Sequence, residues 1–267
     1  MANKIRMIAM DFDLTLVNYT NEKGFVPVET QQLLKEVILQ GIEVGIVSGR
    51  RWEDMKGILQ EAGVAWGDPF PSFIITRETF LYWIDDGKMI PDEEWNRTRA
   101  AEMNHLTRTI FGNRSRLFDD MESKGLNAEN WILWSDYGLE IIFESIKEAE
   151  KARVYMSEYM RGTPMTTVNR NSKAILVTLE TAGKGNSLMR AAESKGYLPQ
   201  QVLAMGDSLN DLTMLDGLNG FHSGAVSNAD EAVKLAVKKA DGVIAAKASG
   251  EGIYEIILEY RQKGLLD

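Results

Sequence analysis

Cysteine is absent from the 267 residues. That excludes disulfides, thiolate metal sites and a cysteine nucleophile, and it suits a reducing compartment. Histidine occurs only as His105 and His222, neither in a ligand or nucleophile pattern, so both read as structural. Nowhere do the roughly eighteen consecutive apolar residues of a membrane span occur. Met1-Ala2-Asn3-Lys4 passes straight into a short strand pattern without the apolar stretch of a signal peptide. Positive charge is also in deficit: 30 Lys and Arg against 39 Asp and Glu leave a net charge of −9, which argues against nucleic acid or an anionic membrane as the main partner. A small anionic ligand stays open, because one bound dication and one lysine reverse the sign locally. The expectation is a cytoplasmic monomer or homodimer.

The chain does carry a repeated layout, in which an apolar run stops at a polar cluster. Ile5-Arg6-Met7-Ile8-Ala9-Met10 runs into Asp11-Phe12-Asp13-Leu14-Thr15, and Val44-Gly45-Ile46-Val47 into Ser48-Gly49-Arg50. Ala174-Ile175-Leu176-Val177 leads through a turn to Lys184, and Val202-Leu203-Ala204-Met205 runs into Gly206-Asp207-Ser208-Leu209-Asn210-Asp211. In an open parallel sheet, clusters at the carboxyl ends of strands converge however far apart they lie in sequence. Asp11 and Asp207 are therefore expected as neighbours. Two carboxylates one residue apart after a strand allow one to attack and the other to move protons, which is phosphoryl-transfer chemistry in outline. Alone, Asp-x-Asp-x-Thr is equally consistent with loop punctuation.

Strand and helix patterns alternate at both ends of the chain. Glu29–Gln40 places Leu33, Leu34, Val37 and Ile38 at helical spacing, with Thr30 as a candidate cap and Gly41 as the stop. A helix over Trp52–Ala62 and a strand over Phe73–Thr76 complete a βαβαβ half. Beyond Lys184 come a helix near Asn186–Lys195, a strand at 202–205, a helix from Leu209, a strand at Gly242–Ala246 and a helix over 252–263. This predicts an α/β fold, a doubly wound, Rossmann-like parallel sheet with helices on both faces. Between the halves the pattern changes to strands at Phe80–Ile84, Trp131–Ser135, Glu140–Phe143 and Ala174–Leu179 with helices near Glu93–Ile110 and Ile146–Met160. The expected organisation is core at 1–76, an inserted α+β cap at 77–180, and core again at 181–267.

Asp11-Phe12-Asp13-Leu14-Thr15, Ser48-Gly49-Arg50, Lys184 and Gly206-Asp207-Ser208-Leu209-Asn210-Asp211 resemble, in order and rough spacing, the four motifs of the haloacid dehalogenase-like hydrolase superfamily. The insert resembles the type-IIB cap of the Cof-type and sucrose-phosphatase-like sugar phosphatases. The resemblance implies Asp11 as nucleophile and Asp13 as general acid and base. Ser48 and Gly49 would hold a phosphoryl oxygen near a helix N-terminus, and Lys184, between Gly183 and Gly185 in a flexible setting, would neutralise the approach of two anions. Mg²⁺ would take the Asp11 carboxylate, the Asp13 carbonyl and Asp207, with Asp211 acting through water, a ligand set of hard oxygens. Asn210 would hydrogen-bond within that network. The four-residue separation of Asp207 and Asp211 would put both carboxylates on one side of a first helical turn.

Haloacid dehalogenases proper lack an acid two residues after the nucleophile, so Asp13 favours phosphate esters. The resemblance implies a Mg²⁺-dependent phosphatase acting on a small phosphorylated metabolite, most naturally a sugar phosphate. A phosphomutase would use the same motifs, and a phospho-switch of receiver type also sets acids, a hydroxyl and a lysine at strand ends, though receivers are far shorter. The pattern departs from the family at Arg77-Glu78, where related sequences carry Asn-Gly. Arg77 is therefore a candidate anchor for a substrate anion, with a surface ion pair to Glu78 or Asp85 as the other reading. Asn169 and Arg170, in the segment just before the strand returning to the core, are candidate specificity residues. Trp66, Trp83, Trp95, Trp131 and Trp134 fall in or near the insert and suit its small core better than a sugar face.

Overall fold

The computed structural model describes residues 4–163 and 166–266. It divides into two compact units: one joins the chain up to Asp92 to the chain from Lys184 onward, and the other is Glu93–Gly183. The first segment runs β1 (Met7–Met10), β2 (Asn18–Thr20), β3 (Lys23–Phe25), α1 (Val28–Leu39), β4 (Glu43–Val47), α2 (Trp52–Glu61), β5 (Phe73–Thr76), β6 (Phe80–Asp85) and β7 (Lys88–Pro91). The second unit holds α3 (Glu93–Ser123), β8 (Asn130–Trp134), β9 (Gly138–Ile142), α4 (Ile146–Tyr159), β10 (Thr166–Asn171) and β11 (Ala174–Leu179). The chain then continues with α5 (Gly183–Ser194), β12 (Val202–Gly206), α6 (Leu212–Leu215), β13 (His222–Ala225), α7 (Glu231–Lys239), β14 (Val243–Ile244) and α8 (Ser249–Gln262).

The large sheet has the order β14-β13-β12-β1-β4-β5-β6-β7, parallel from β14 to β5. Every residue of β1, β5 and β12 is buried, as continuous apolar strands covered on both faces must be. From β1 the chain proceeds outward through β4 and β5, then resumes on the other side of β1 with β12, β13 and β14. The direction of winding reverses between β1 and β12, and crevices at such reversals are where open α/β sheets bind ligands. The doubly wound α/β core read from the sequence is thus present.

Several boundaries differ from the sequence reading. The expected cap began at residue 77, but β6 and β7 pair antiparallel onto β5 and extend the large sheet. The second unit starts at Glu93, because β6 and β7 take their backbone pairing from the edge of the large sheet and not from the second unit's sheet. Thr30 does not cap α1. It lies inside the helix, fully buried, and its hydroxyl donates to the Gly250 carbonyl at 2.8 Å. Lys184 is not on a flexible loop either, since it occupies the first turn of α5.

Within the second unit, a four-stranded antiparallel sheet of order β10-β11-β9-β8 packs one face on α3 and α4. Leu139, Ile141, Ile175, Val177 and Leu179 point to that face and join Met103, Leu106, Ile110, Ala149, Ala152 and Met156 in its core. The phenyl ring of Phe118 on α3 and the indole of Trp131 lie 4.0 Å apart between centroids, so that tryptophan serves packing. Among the described residues, no helix is long and apolar enough to cross a membrane.

Candidate active site

The carboxyl ends of β1 and β12 are locked side by side. Met10 lies opposite Met205, and the Asp11 amide donates to the Met205 carbonyl at 2.9 Å. Two residues from chain segments almost two hundred positions apart, Asp11 and Asp207, therefore leave the sheet at the same edge. Thr15 secures the pairing, its hydroxyl donating to Asp207 Oδ1 at 2.6 Å. Asp11, Asp207 and Asp211 are all buried and each offers a carboxylate oxygen within 4.8 Å of the others.

Lys184 completes this cluster. Its Nζ donates to Asp11 Oδ1 and to Asp211 Oδ1, both at 2.5 Å, with only 1% of the side chain exposed. The second oxygen of Asp211 accepts the backbone amides of Asp207 and Ser208 at 2.9 and 2.8 Å. This is not the expected pairing of two acids on one helical turn. Asp207 precedes the helix, in an extended loop, and Asp211 folds back over that loop to hold it. Gly206 allows the fold, because a Cβ there would stand 2.5 Å from Asp211 Oδ2. Gly185 is needed for a similar reason, since a Cβ would lie 2.3 Å from the Thr213 carbonyl where α5 meets α6.

The electrostatics follow from burial and proximity. Burial raises the Asp11 pKa well above the usual carboxylate range; Lys184 opposes the rise while Asp211 and Asp207 add to it. Asp207 is pushed up to about 6 by burial and by Asp211, against the pull of Thr15, Lys184 and Ser208. Burial disfavours the Lys184 charge, but Asp11, Asp211 and Glu78 more than offset it and the pKa rises. Three buried carboxylates facing one ammonium form an anionic pocket of hard oxygens without histidine or cysteine, a donor set that fits a hard dication.

Asp13 leaves the same strand end with a different set of partners. Arg50 forks onto it, Nε to Oδ2 at 2.6 Å and Nη2 to Oδ1 at 2.8 Å, and the Tyr19 hydroxyl, on the β2–β3 hairpin, donates to Oδ1 at 2.5 Å. Ser48 follows β4, where Met10 of β1 lies opposite Ile46, so it emerges at the same edge as Asp11. It is buried, and its hydroxyl accepts the Arg50 amide at 3.2 Å. Arg77 is buried too, not at the surface, and donates to the Gly49 carbonyl at 3.3 Å. Asn210 donates through Nδ2 to Glu78 Oε1 at 2.7 Å, which leaves its buried Oδ1 without a protein partner.

The structure thus gathers Asp11, Lys184, Asp207 and Asp211 into one bonded cluster, with Asn210 tied to Glu78 beside it and Ser48, Gly49, Arg77 and Asp13 at the same sheet edge. It separates the two insert residues. Asn169 is paired with Leu176 and Arg170 with Ile175, and adjacent strand residues face opposite ways. Arg170 points to the helix side and donates to Glu150 of α4 at 3.1 Å, which ties it to the insert's own fold. Arg50, Tyr19, Thr15 and Glu78 were missed. Arg50 and Thr15 lie inside the motifs Ser48-Gly49-Arg50 and Asp11-Phe12-Asp13-Leu14-Thr15, and Glu78 in the Arg77-Glu78 departure, so these three carry a signal; Tyr19 carries none.

The sequence profile of the haloacid dehalogenase-like hydrolases matches residues 8–76 and 72–257. Among characterised relatives, the 5-amino-6-(5-phospho-D-ribitylamino)uracil phosphatase YcsE of Bacillus subtilis is 22% identical over 237 residues, covering 86% of this chain and 87% of its own. Phosphatase YwpJ of the same organism is 23% identical over 273 residues, covering 86% and 92%. Of the solved structures, the sucrose-phosphatase of Synechocystis in complex with sucrose and phosphate superposes with a TM-score of 0.71 at 15% identity, over 97% of this chain and 98% of its own. The chain belongs to the haloacid dehalogenase-like hydrolase family, whose relatives here are phosphoric monoester hydrolases.

Proposed function

We propose that this haloacid dehalogenase-like hydrolase is a Mg²⁺-dependent phosphatase that acts on a small phosphorylated metabolite through an aspartyl-phosphate on Asp11. The observation that carries the reading is the buried cluster in which Asp11 and Asp211 share Lys184 while Asp207 stands alongside. In the first step an Asp11 oxygen forms a bond to phosphorus as the bond to the leaving oxygen breaks, and Asp13 delivers a proton to that oxygen. In the second, Asp13 takes a proton from water, the water oxygen attacks phosphorus, and inorganic phosphate leaves with the Asp11 carboxylate restored.

Lys184 holds one Asp11 oxygen and so orients the other for attack. Asp211, bonded to the same ammonium and to two loop amides, is a positioning residue that would contribute to holding the cation through water. Asp11, Asp207 and the Asp13 carbonyl would hold Mg²⁺, which when bound offsets charge on the transferring phosphoryl group. Ser48 and the backbone at Gly49 supply donors for phosphoryl oxygens, and Arg77, held at Gly49, supplies a cation. Asn169 is the insert residue retained as a specificity candidate.

A phosphorylated sugar or polyol is the favoured substrate class, as the relative named for a phosphoribityl compound suggests. The lack of cysteine suits a cytoplasmic setting. The test is a panel of phosphorylated sugars, phosphoglycerates and nucleotides assayed for inorganic phosphate release with and without Mg²⁺. Release from one class, abolished by a chelator, is expected. Isomerisation of the ester without net phosphate release would point to a phosphomutase, and inertness across the panel would overturn the reading.

A further inference from the structure

Glu78 is a buried acid that the proposed chemistry does not use. Only 4% of it is exposed, and it bonds to Ser48, Ser187 and Asn210. Its amide donates to the Ser48 carbonyl at 2.9 Å, and its carbonyl accepts the hydroxyl of Ser187, on the lysine-bearing helix α5, at 2.9 Å. Its carboxylate takes the Asn210 amide at 2.7 Å, and its charge acts on Lys184 after those of Asp11 and Asp211.

The backbone makes this placement costly. Arg77 and Glu78 both have φ of +54°, a left-handed conformation that suits Asn and Gly and strains other residues. Asn or Gly would sit there without strain. Keeping two long charged side chains in such a turn indicates that the side chains have work at this position.

Resting on the phosphatase reading above, we infer that Glu78 is a positioning residue that turns the Asn210 amide and adds a fourth buried negative charge, thereby weakening the site's hold on phosphate. A carboxylate accepts only N–H from Asn210, so the amide nitrogen is committed to Glu78 and the carbonyl oxygen is the end left without a protein partner. Asn210 therefore presents its buried carbonyl oxygen as an acceptor to whatever lies beside it. A phosphate dianion meets repulsion from Glu78 in addition to that from Asp11, Asp207 and Asp211, while a cation is drawn in more strongly. For a hydrolase whose product is inorganic phosphate, the consequence is rapid product release.

Glu78→Gln keeps the shape and an acceptor for Asn210 but removes the charge. Glu78→Gly also removes it and places glycine where φ is positive, so a folded neutral variant is available in either case. Glu78→Asp retains the charge. Binding of inorganic phosphate and of Mg²⁺ to the intact protein is measured by calorimetry, which needs no turnover and so stands or falls separately from the phosphatase reading. The neutral variants are expected to bind phosphate about tenfold more tightly and Mg²⁺ several-fold more weakly, the scale of one unit charge in a partly screened site, with Glu78→Asp near wild type. Where turnover is seen, KM and product inhibition constant should fall together in the neutral variants. Unchanged phosphate and Mg²⁺ binding in a folded neutral variant, or Glu78→Asp behaving like Glu78→Gln, would overturn the inference.

Discussion

Replacing Asp207 by asparagine should make the metal-free protein more stable while disabling it. Asp207 is buried beside Asp211, and its pKa of about 6 lies above the ordinary 3.8. A carboxyl whose folded pKa is raised binds its proton more tightly in the folded state, so folding is favoured below the unfolded value and penalised as pH rises through about 6. Above that point the difference corresponds to about 3 kcal/mol. Asparagine removes the charge, still accepts from Thr15, and leaves the Ser208 hydroxyl free to reverse its role.

In EDTA at about pH 8 the variant is expected to melt roughly 5 °C or more above wild type, and at about pH 4 the two should converge. Saturating Mg²⁺ should reverse the order, because the wild type gains the cation's binding energy and the variant loses a ligand. Thermal unfolding followed by circular dichroism, with and without chelator at both pH values, makes the comparison. A metal-free Asp207→Asn protein less stable than wild type at about pH 8 would refute the electrostatic reasoning. So would Mg²⁺ stabilising both proteins equally.

Lys184→Ala strips the ammonium from Asp11 and Asp211, and loss of one partner from a buried ion pair costs on the order of 3 kcal/mol; urea unfolding should show that loss, together with abolished turnover. Arg50→Ala and Tyr19→Phe free Asp13 from its fork and its phenol. Both should slow alkyl phosphates, which need a proton on the leaving oxygen, by about a hundredfold or less, and slow p-nitrophenyl phosphate much less. Equal losses on both ester types in steady-state kinetics would mean that these residues support the fold and not the acid.

The central cluster was legible because its signal is one-dimensional. Asp11, Ser48 and Asp207 each follow a run of buried strand residues, and a parallel sheet brings such ends together by its topology. The β2–β3 hairpin and β13 were not seen, since three or four residues such as His222-Ser223-Gly224-Ala225 carry neither alternation nor β-branched side chains. Helix α3 runs on to Ser123 past Gly112, Asn113 and Ser115, residues of low helical propensity that burial of Leu117 and Met121 overrides. Arg50 on Asp13 and Asn210 on Glu78 join residues 37 and 132 positions apart, and no local pattern announces a fork or a left-handed turn. Arg170 shows the reverse limit: beside Asn169 in sequence, it faces the other way because strand neighbours alternate.

Locating the phosphoryl group on the enzyme tests the account most directly. Protein turning over a phosphorylated substrate with Mg²⁺ is quenched in acid, digested and mapped by mass spectrometry. A phosphoryl adduct on the peptide carrying Asp11, absent in Asp11→Asn, is the expected result. Substrate hydrolysed by a folded Asp11→Asn protein, or an adduct on any other residue, would contradict it.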